Sequence, residues 1–254
     1  MTWMEFVGCA GVAYGPPLAL FVFTIMSDPI RIIILIASAF FWLVALLLSS
    51  FVWFVFPFKS ILIFGIICSV LFQELFRYLI YVLLRKAEAG LKKVTIPNTN
   101  TEITNNKHIL AYVAGLGFGI MSGAFSLINI LADLVGPATM GLKGGSSSFC
   151  LISAILSMCF ILLHTFWGVI FFAAIDKKNY FHISWVIVSH ISVSCLSLLT
   201  QSMFYFPIIS ALVLMLFSGY IAFVVSGGSC NNCKRVCRCG NQRTLNLEPS
   251  TSST

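Results

Sequence analysis

The chain is built from apolar runs too long and too numerous for the core of a water-soluble domain. A helix needs about 20 apolar residues to cross the hydrocarbon layer of a bilayer. Seven stretches meet that length: 3–26, 31–56, 60–84, 109–134, 149–174, 181–202 and 205–226. Only 9% of the 254 residues are charged, against about a quarter in soluble domains, so most of the chain has no water to face. The sequence therefore predicts an all-α polytopic membrane protein. A bundle of seven transmembrane helices spans residues 1–228, and a Cys-rich tail, 229–254, reads as disordered.

The breaks between runs are short. Pro57, Phe58 and Lys59 alone part the second and third, which predicts a tight antiparallel hairpin. The sixth and seventh meet near Gln201 to Phe206. The longest break, Arg85 to Lys107, contains turn formers without an apolar period and reads as a flexible loop. The Gly/Ser-rich stretch 136–148 reads as another connection. The first run lacks the basic start of a cleaved signal and carries Glu5, so it reads as a spanning helix.

Basic residues orient the bundle. Twelve (Arg31, Arg85, Lys86, Lys92, Lys93, Lys107, Lys177, Lys178, Lys234, Arg235, Arg238 and Arg243) fall in the first, third and fifth connections and the tail. The opposite side holds Lys59 and Lys143 alone. Basic loops stay cytoplasmic, so the N-terminus is expected on the lumenal or extracellular side and the C-terminus in the cytosol. The net charge of +7 thus speaks to topology. The basic clusters lack interleaved aromatics and do not suggest nucleic acid. The chain has no Asn-x-Ser/Thr sequon and short outer connections, so little of it is expected outside the membrane.

Within the fourth run, Gly115, Gly119 and Gly123 recur every four residues, with Ala111 one step earlier. On a helix they form a groove nearly free of side chains. Apolar attraction alone does not join helices in lipid, but small residues let backbones approach closely enough for packing to do so. The ladder reads as a surface for gripping other helices, either within the bundle or in a partner. Gly11, Gly15 and Ala19 form a second ladder beside Pro16 and Pro17, where the first helix is prone to kink.

Ionisable groups at membrane depth need a reason. Glu74 and Arg77 are three residues apart on one helix face. They read as a self-neutralising pair, with Arg77 snorkelling toward the cytoplasmic end. Asn129 and Asp133 sit near the outer end of the fourth run. His164 and His190 each lie twelve residues from the turn at Asp176–Asn179, counted from Asp176 and Lys178. An antiparallel hairpin places both imidazoles at nearly equal depth, about 18 Å from that turn. They could line one polar pocket that receives a partner's polar group, or bond independently to backbone or serine acceptors. Two histidines without a matched third ligand do not make a metal site, and no cofactor is expected.

Of the nine cysteines, Cys9, Cys68, Cys150, Cys159 and Cys195 lie in or beside the runs as small apolar residues. Cys230, Cys233, Cys237 and Cys239 follow the last run among Lys and Arg. That is a setting for palmitoylation, and their spacing is too tight for the usual zinc arrangement.

Catalytic patterns are missing. Asp133 has no aspartate at matching depth, Ser122-Gly123 lacks the glycine spacing of a membrane serine protease, and no H-E-x-x-H occurs. A small transporter or channel, with a polar site at His164 and His190, is the alternative to a non-catalytic subunit.

Taken in order, Cys9, Ala13-Tyr-Gly-Pro16, Asp28-Pro-Ile-Arg31, Ala39-Phe-Phe-Trp-Leu-Val44 and Gln73-Glu-Leu-Phe-Arg77 form a distinctive series. The glycine ladder with Asn129 and Asp133, His164-Thr-Phe-Trp-Gly168, His190 and Gly227-Gly228 continue it. Together they resemble the anterior-pharynx-defective (Aph) family, subunits of gamma-secretase. The resemblance implies a seven-span, non-catalytic scaffold in a complex that cleaves single-span membrane proteins, including those of Notch signalling. It implies presenilin, which carries the catalytic aspartates, nicastrin and presenilin enhancer as partners, besides membrane lipids. It also implies residence in endoplasmic reticulum, Golgi, cell-surface and endosomal membranes. The family's glycine motif falls on Gly115, Gly119 and Gly123, and its membrane histidines on His164 and His190.

Overall fold

The computed structural model describes residues 3–55, 62–94, 107–135, 149–201 and 205–228. Seven α-helices carry the fold: α1 (Trp3–Thr24), α2 (Pro29–Val55), α3 (Leu62–Val94), α4 (Lys107–Val135), α5 (Phe149–Asp176), α6 (Tyr180–Ser197) and α7 (Tyr205–Val225). A 3-10 turn, Leu198–Gln201, follows α6. All seven helices are long and apolar enough to cross a membrane. Five match the apolar runs closely, and α6 ends at Ser197, five residues before its run does. The third continues ten residues past its expected end, because apolar length marks where lipid stops rather than where a helix must. The segment beyond Leu84 keeps good helix formers and is stitched by an Arg85–Glu88 ion pair at 3.0 Å. The rest of the expected flexible loop, the 136–148 connection, the second-to-third turn at 56–61 and the tail with its cysteines lie outside the described residues.

Polar residues set the visible turns. Asp28 opens α2 by accepting from Ile30 N at 3.0 Å, with Pro29 as the first helical residue. Arg31 then reaches back, pairing with Asp28 at 3.1 Å and donating to the Thr24 carbonyl at the end of α1. Between α5 and α6, Lys178 adopts a left-handed φ of 52°. Asn179 N closes α5 through the Ala174 carbonyl, while the Asn179 side chain caps α6 by accepting from Phe181 N. Gly227, at φ 89°, ends α7 with Gly228 N donating to the Phe223 carbonyl, a turn that favours glycine.

Helix α5 is the axis of the bundle. It is apolar on every side, as a fully enclosed helix must be, and it is buried from Cys150 to Ala174 along most of its faces. α4 packs along it most extensively, while α1, α6 and α7 also lie against it. α2 backs onto α4 and α3, and α3 reaches α6. The outside is also apolar: Phe23, Phe40, Phe51, Phe54, Leu216 and Tyr220 are all exposed. Surfaces of that kind suit lipid as solvent.

Candidate functional site

The glycine ladder is occupied by the chain itself. A methyl group at Gly115 would sit 2.8 Å from the carbonyl oxygens of both His164 and Thr165 on α5. One at Gly119 would collide with the Ile161 carbonyl, and one at Gly123 with the tip of the Ile161 side chain. The α4 backbone therefore lies directly on α5, closer than any branched residue permits. Sequence spacing revealed this groove but not its two complements. Gly168 on α5 answers Gly115, since a methyl there would fall 2.8 Å from Gly115 Cα. Gly117 faces the other way, where a methyl would lie 2.5 Å from the Leu35 carbonyl of α2. α4 is thus clasped from two sides. Tyr14 of α1 adds a hydrogen bond to the Gly123 carbonyl at 3.0 Å.

His164 and His190 come together as the hairpin count predicts. Their rings are 4.9 Å apart at an interplanar angle of 86°, and both side chains are buried. Glu74 and Arg77 of α3 complete the cluster. Arg77 pairs with Glu74 at 3.2 Å, as their spacing suggests. It does not snorkel: it is 2% exposed and turns into the bundle. One guanidinium nitrogen donates to His164 Nδ1 at 2.9 Å, and another lies 3.4 Å from the His164 carbonyl. The Phe118 and Trp167 rings lie 5.5 and 5.9 Å from its charge. Acceptors on α5 and these ring faces hold the cation inside the bundle. No sequence spacing on α3 could announce them, for the His164 acceptors lie 87 residues away and the rings belong to other helices.

Hydrogen-bond chemistry assigns the two imidazoles opposite tautomers. Arginine can only donate, so His164 Nδ1 must be bare and its ring proton sits on Nε2. His190 Nδ1 lies 2.7 Å from Glu74 Oε1, and a carboxylate only accepts, so that nitrogen carries a proton. Glu74 thus bridges an arginine on its own helix and a histidine on α6, and Arg77 bridges α3 to α5. The Trp167 ring lies tilted by 32° with its centroid 4.5 Å from that of His190 and closes the cluster. Four ionisable side chains from three helices meet here, and Glu74 Oε2 and Arg77 Nε face each other as an ion pair without a hydrogen bond.

A cavity of about 300 Å³ lies elsewhere, lined by Ser126, Ser153, Ser157 and Ser197 with Phe149 and Leu156. His164 and His190 do not line it. The side chains of Asn129 and Asp133 lie outside the described residues. Among the described residues no group of three or more His, Cys, Asp or Glu is placed to hold a metal ion.

At the far end of α5, a second polar link ties α3 to the α5–α6 turn. Asp176 accepts from Tyr81 at 2.8 Å and from Arg85 Nε at 3.2 Å. Gln73 joins α3 to α2 by accepting from Trp42 Nε1 at 3.1 Å.

Comparison with known proteins covers the whole bundle. A family described as Aph-1 protein matches residues 4–229. The gamma-secretase subunit Aph-1 of Drosophila melanogaster is 53% identical over 241 residues, covering 94% of this chain and 100% of that protein. The human gamma-secretase subunit APH-1B is 44% identical over 255 residues, covering 96% and 97%. The gamma-secretase subunit aph-1 of Caenorhabditis elegans is 30% identical over 255 residues, covering 89% and 82%.

Proposed function

The chain belongs to the Aph-1 family, and on that premise we propose that it is a non-catalytic scaffold subunit of a gamma-secretase complex. The observation that carries the scaffold reading is the closed cluster of Glu74, Arg77, His164 and His190. Among the described residues these are the buried charged groups and imidazoles with which the bundle could do acid–base chemistry at depth, and they are bonded to each other. Spent in this way, they fix α3, α5 and α6 relative to one another and supply shape rather than turnover.

The glycine ladder serves the same end by seating α4 on α5, so its part in assembly is to keep the subunit's own frame intact. In this reading presenilin, nicastrin and presenilin enhancer dock on the outside of that frame. The complex then cleaves single-span membrane proteins with aspartates that presenilin brings. The distribution of basic residues supports an N-terminus outside and a C-terminus in the cytosol. The compartments are those of the secretory and endosomal membranes.

The test is a mild-detergent purification of the tagged chain from its own cells, with co-purifying proteins identified by mass. Presenilin, nicastrin and presenilin enhancer in stoichiometric amounts support the proposal. Peptide hydrolysis or solute flux by the chain alone in liposomes would contradict it.

A further inference from the structure

Cys9, Cys68, Cys150, Cys159 and Cys195 are free thiols on described helices. Two of them meet. Cys9 lies near the start of α1 and Cys150 is the second residue of α5. Both are buried in one small cluster with Ala13, Ala154, Leu127 and Leu131. The two side chains lie close to each other within it. The scaffold role uses neither.

Sequence spacing explains the encounter. α1 and α5 are both odd-numbered spans, so they run in the same direction and start at the same face of the membrane. Each offers a cysteine and, four residues on, an alanine: Cys9 and Ala13 on α1, Cys150 and Ala154 on α5. A seam of four small residues lets the two helices approach more closely than bulkier side chains allow. A disulfide needs such an approach, with Cα atoms roughly 4.4–6.8 Å apart.

We propose that Cys9 and Cys150 form a disulfide site that staples α1 to α5 at the extracytoplasmic end of the bundle. The location rests on the orientation proposed above, which puts both helix starts in an oxidising compartment where disulfides persist. The oxidant is a dithiol–disulfide exchange protein or a small-molecule disulfide. The Cys9 thiolate attacks one oxidant sulfur, breaking the oxidant's S–S bond and forming a mixed disulfide while the other sulfur leaves as a thiolate. The Cys150 thiolate then attacks Cys9 Sγ, forming the Cys9–Cys150 bond and releasing the second oxidant sulfur. Two electrons pass from the cysteine pair to the oxidant, and the two protons lost by the cysteines end on its sulfurs. Both cysteine sulfurs are buried once the helices pack, so the exchange takes place during folding, before α1 closes on α5.

The experiment uses the full chain, expressed with its co-purifying subunits and bearing an N-terminal extension with a glycosylation acceptor. Cells are quenched in acid, free thiols are alkylated under denaturing conditions, and the protein is digested without reductant for mass spectrometry. The expected result is a linked peptide pair containing Cys9 and Cys150, lost on dithiothreitol treatment and absent from Cys9→Ser and Cys150→Ser. A glycosylated N-terminus with both cysteines fully alkylated overturns the staple. An unglycosylated N-terminus, with no linked pair, overturns the orientation and the staple with it. Co-purification of the other subunits, read from the same sample, bears on the scaffold role separately from this bond.

Discussion

Two glycine ladders with the same four-residue spacing have opposite fates in this bundle. On α4, Gly115 and Gly119 lie against the α5 backbone, where even a methyl group would collide with carbonyl oxygens. On α1, methyl groups at Gly11 and Gly15 would meet nothing within 4 Å. The first ladder is an internal joint and the second faces out of the bundle. Spacing announces that a helix can be approached closely. It does not say by whom, because the answer depends on which other helix carries a complementary notch. For α4 that notch is Gly168, and for α1 the described residues offer none.

The joint on α4 is reinforced from behind by the charged cluster, since the His164 carbonyl that faces Gly115 also lies beside Arg77. The largest expected effect therefore comes from Arg77→Met. It leaves Glu74 buried without its cation, a loss of about 3–5 kcal/mol for breaking a buried pair. Thermal unfolding in mild detergent should show a large destabilisation, partly recovered by adding Glu74→Gln. Full stability of Arg77→Met would mean that the cluster does not brace the joint.

Next is Gly168→Val, which forces the α4 and α5 backbones apart at Gly115. Overpacking of this kind costs about 1–3 kcal/mol, and the same unfolding assay should register it. Removing the Trp42–Gln73 bond with Gln73→Leu tests the α2–α3 seam, outside both ladders. A buried hydrogen bond contributes about 1 kcal/mol, so a smaller fall is expected, with the α4–α5 joint intact by cross-linking. The smallest effect belongs to Gly11→Leu on the open ladder, within about 0.5 kcal/mol of the parent. If that variant keeps its stability but loses co-purifying subunits, the open ladder belongs to a partner helix.

The sequence made some of this architecture legible and hid the rest for physical reasons. The helices were visible because a bilayer imposes a length on every apolar run. The extension of α3 to Val94 was not, since it leaves the apolar layer and persists on helix propensity and its Arg85–Glu88 pair. The meeting of His164 and His190 followed from counting residues out of one short turn, where antiparallel geometry leaves little freedom. The inward turn of Arg77 depended on acceptors from another helix, and local spacing cannot encode those. The contact of Gly117 with α2 was hidden because Gly117 lies off the four-residue ladder, on the other side of α4. Gly168 stood in the His164-Thr-Phe-Trp-Gly168 series, but its seat against Gly115 was hidden, because a lone glycine on a buried helix carries no period.

The most direct test of the internal joint compares Gly119→Leu with Gly15→Leu, purified in the same mild detergent and unfolded by heat. The account predicts that Gly119→Leu lowers the melting temperature by about 4 °C or more, while Gly15→Leu melts with the parent. Equal melting of both variants and the parent would contradict it.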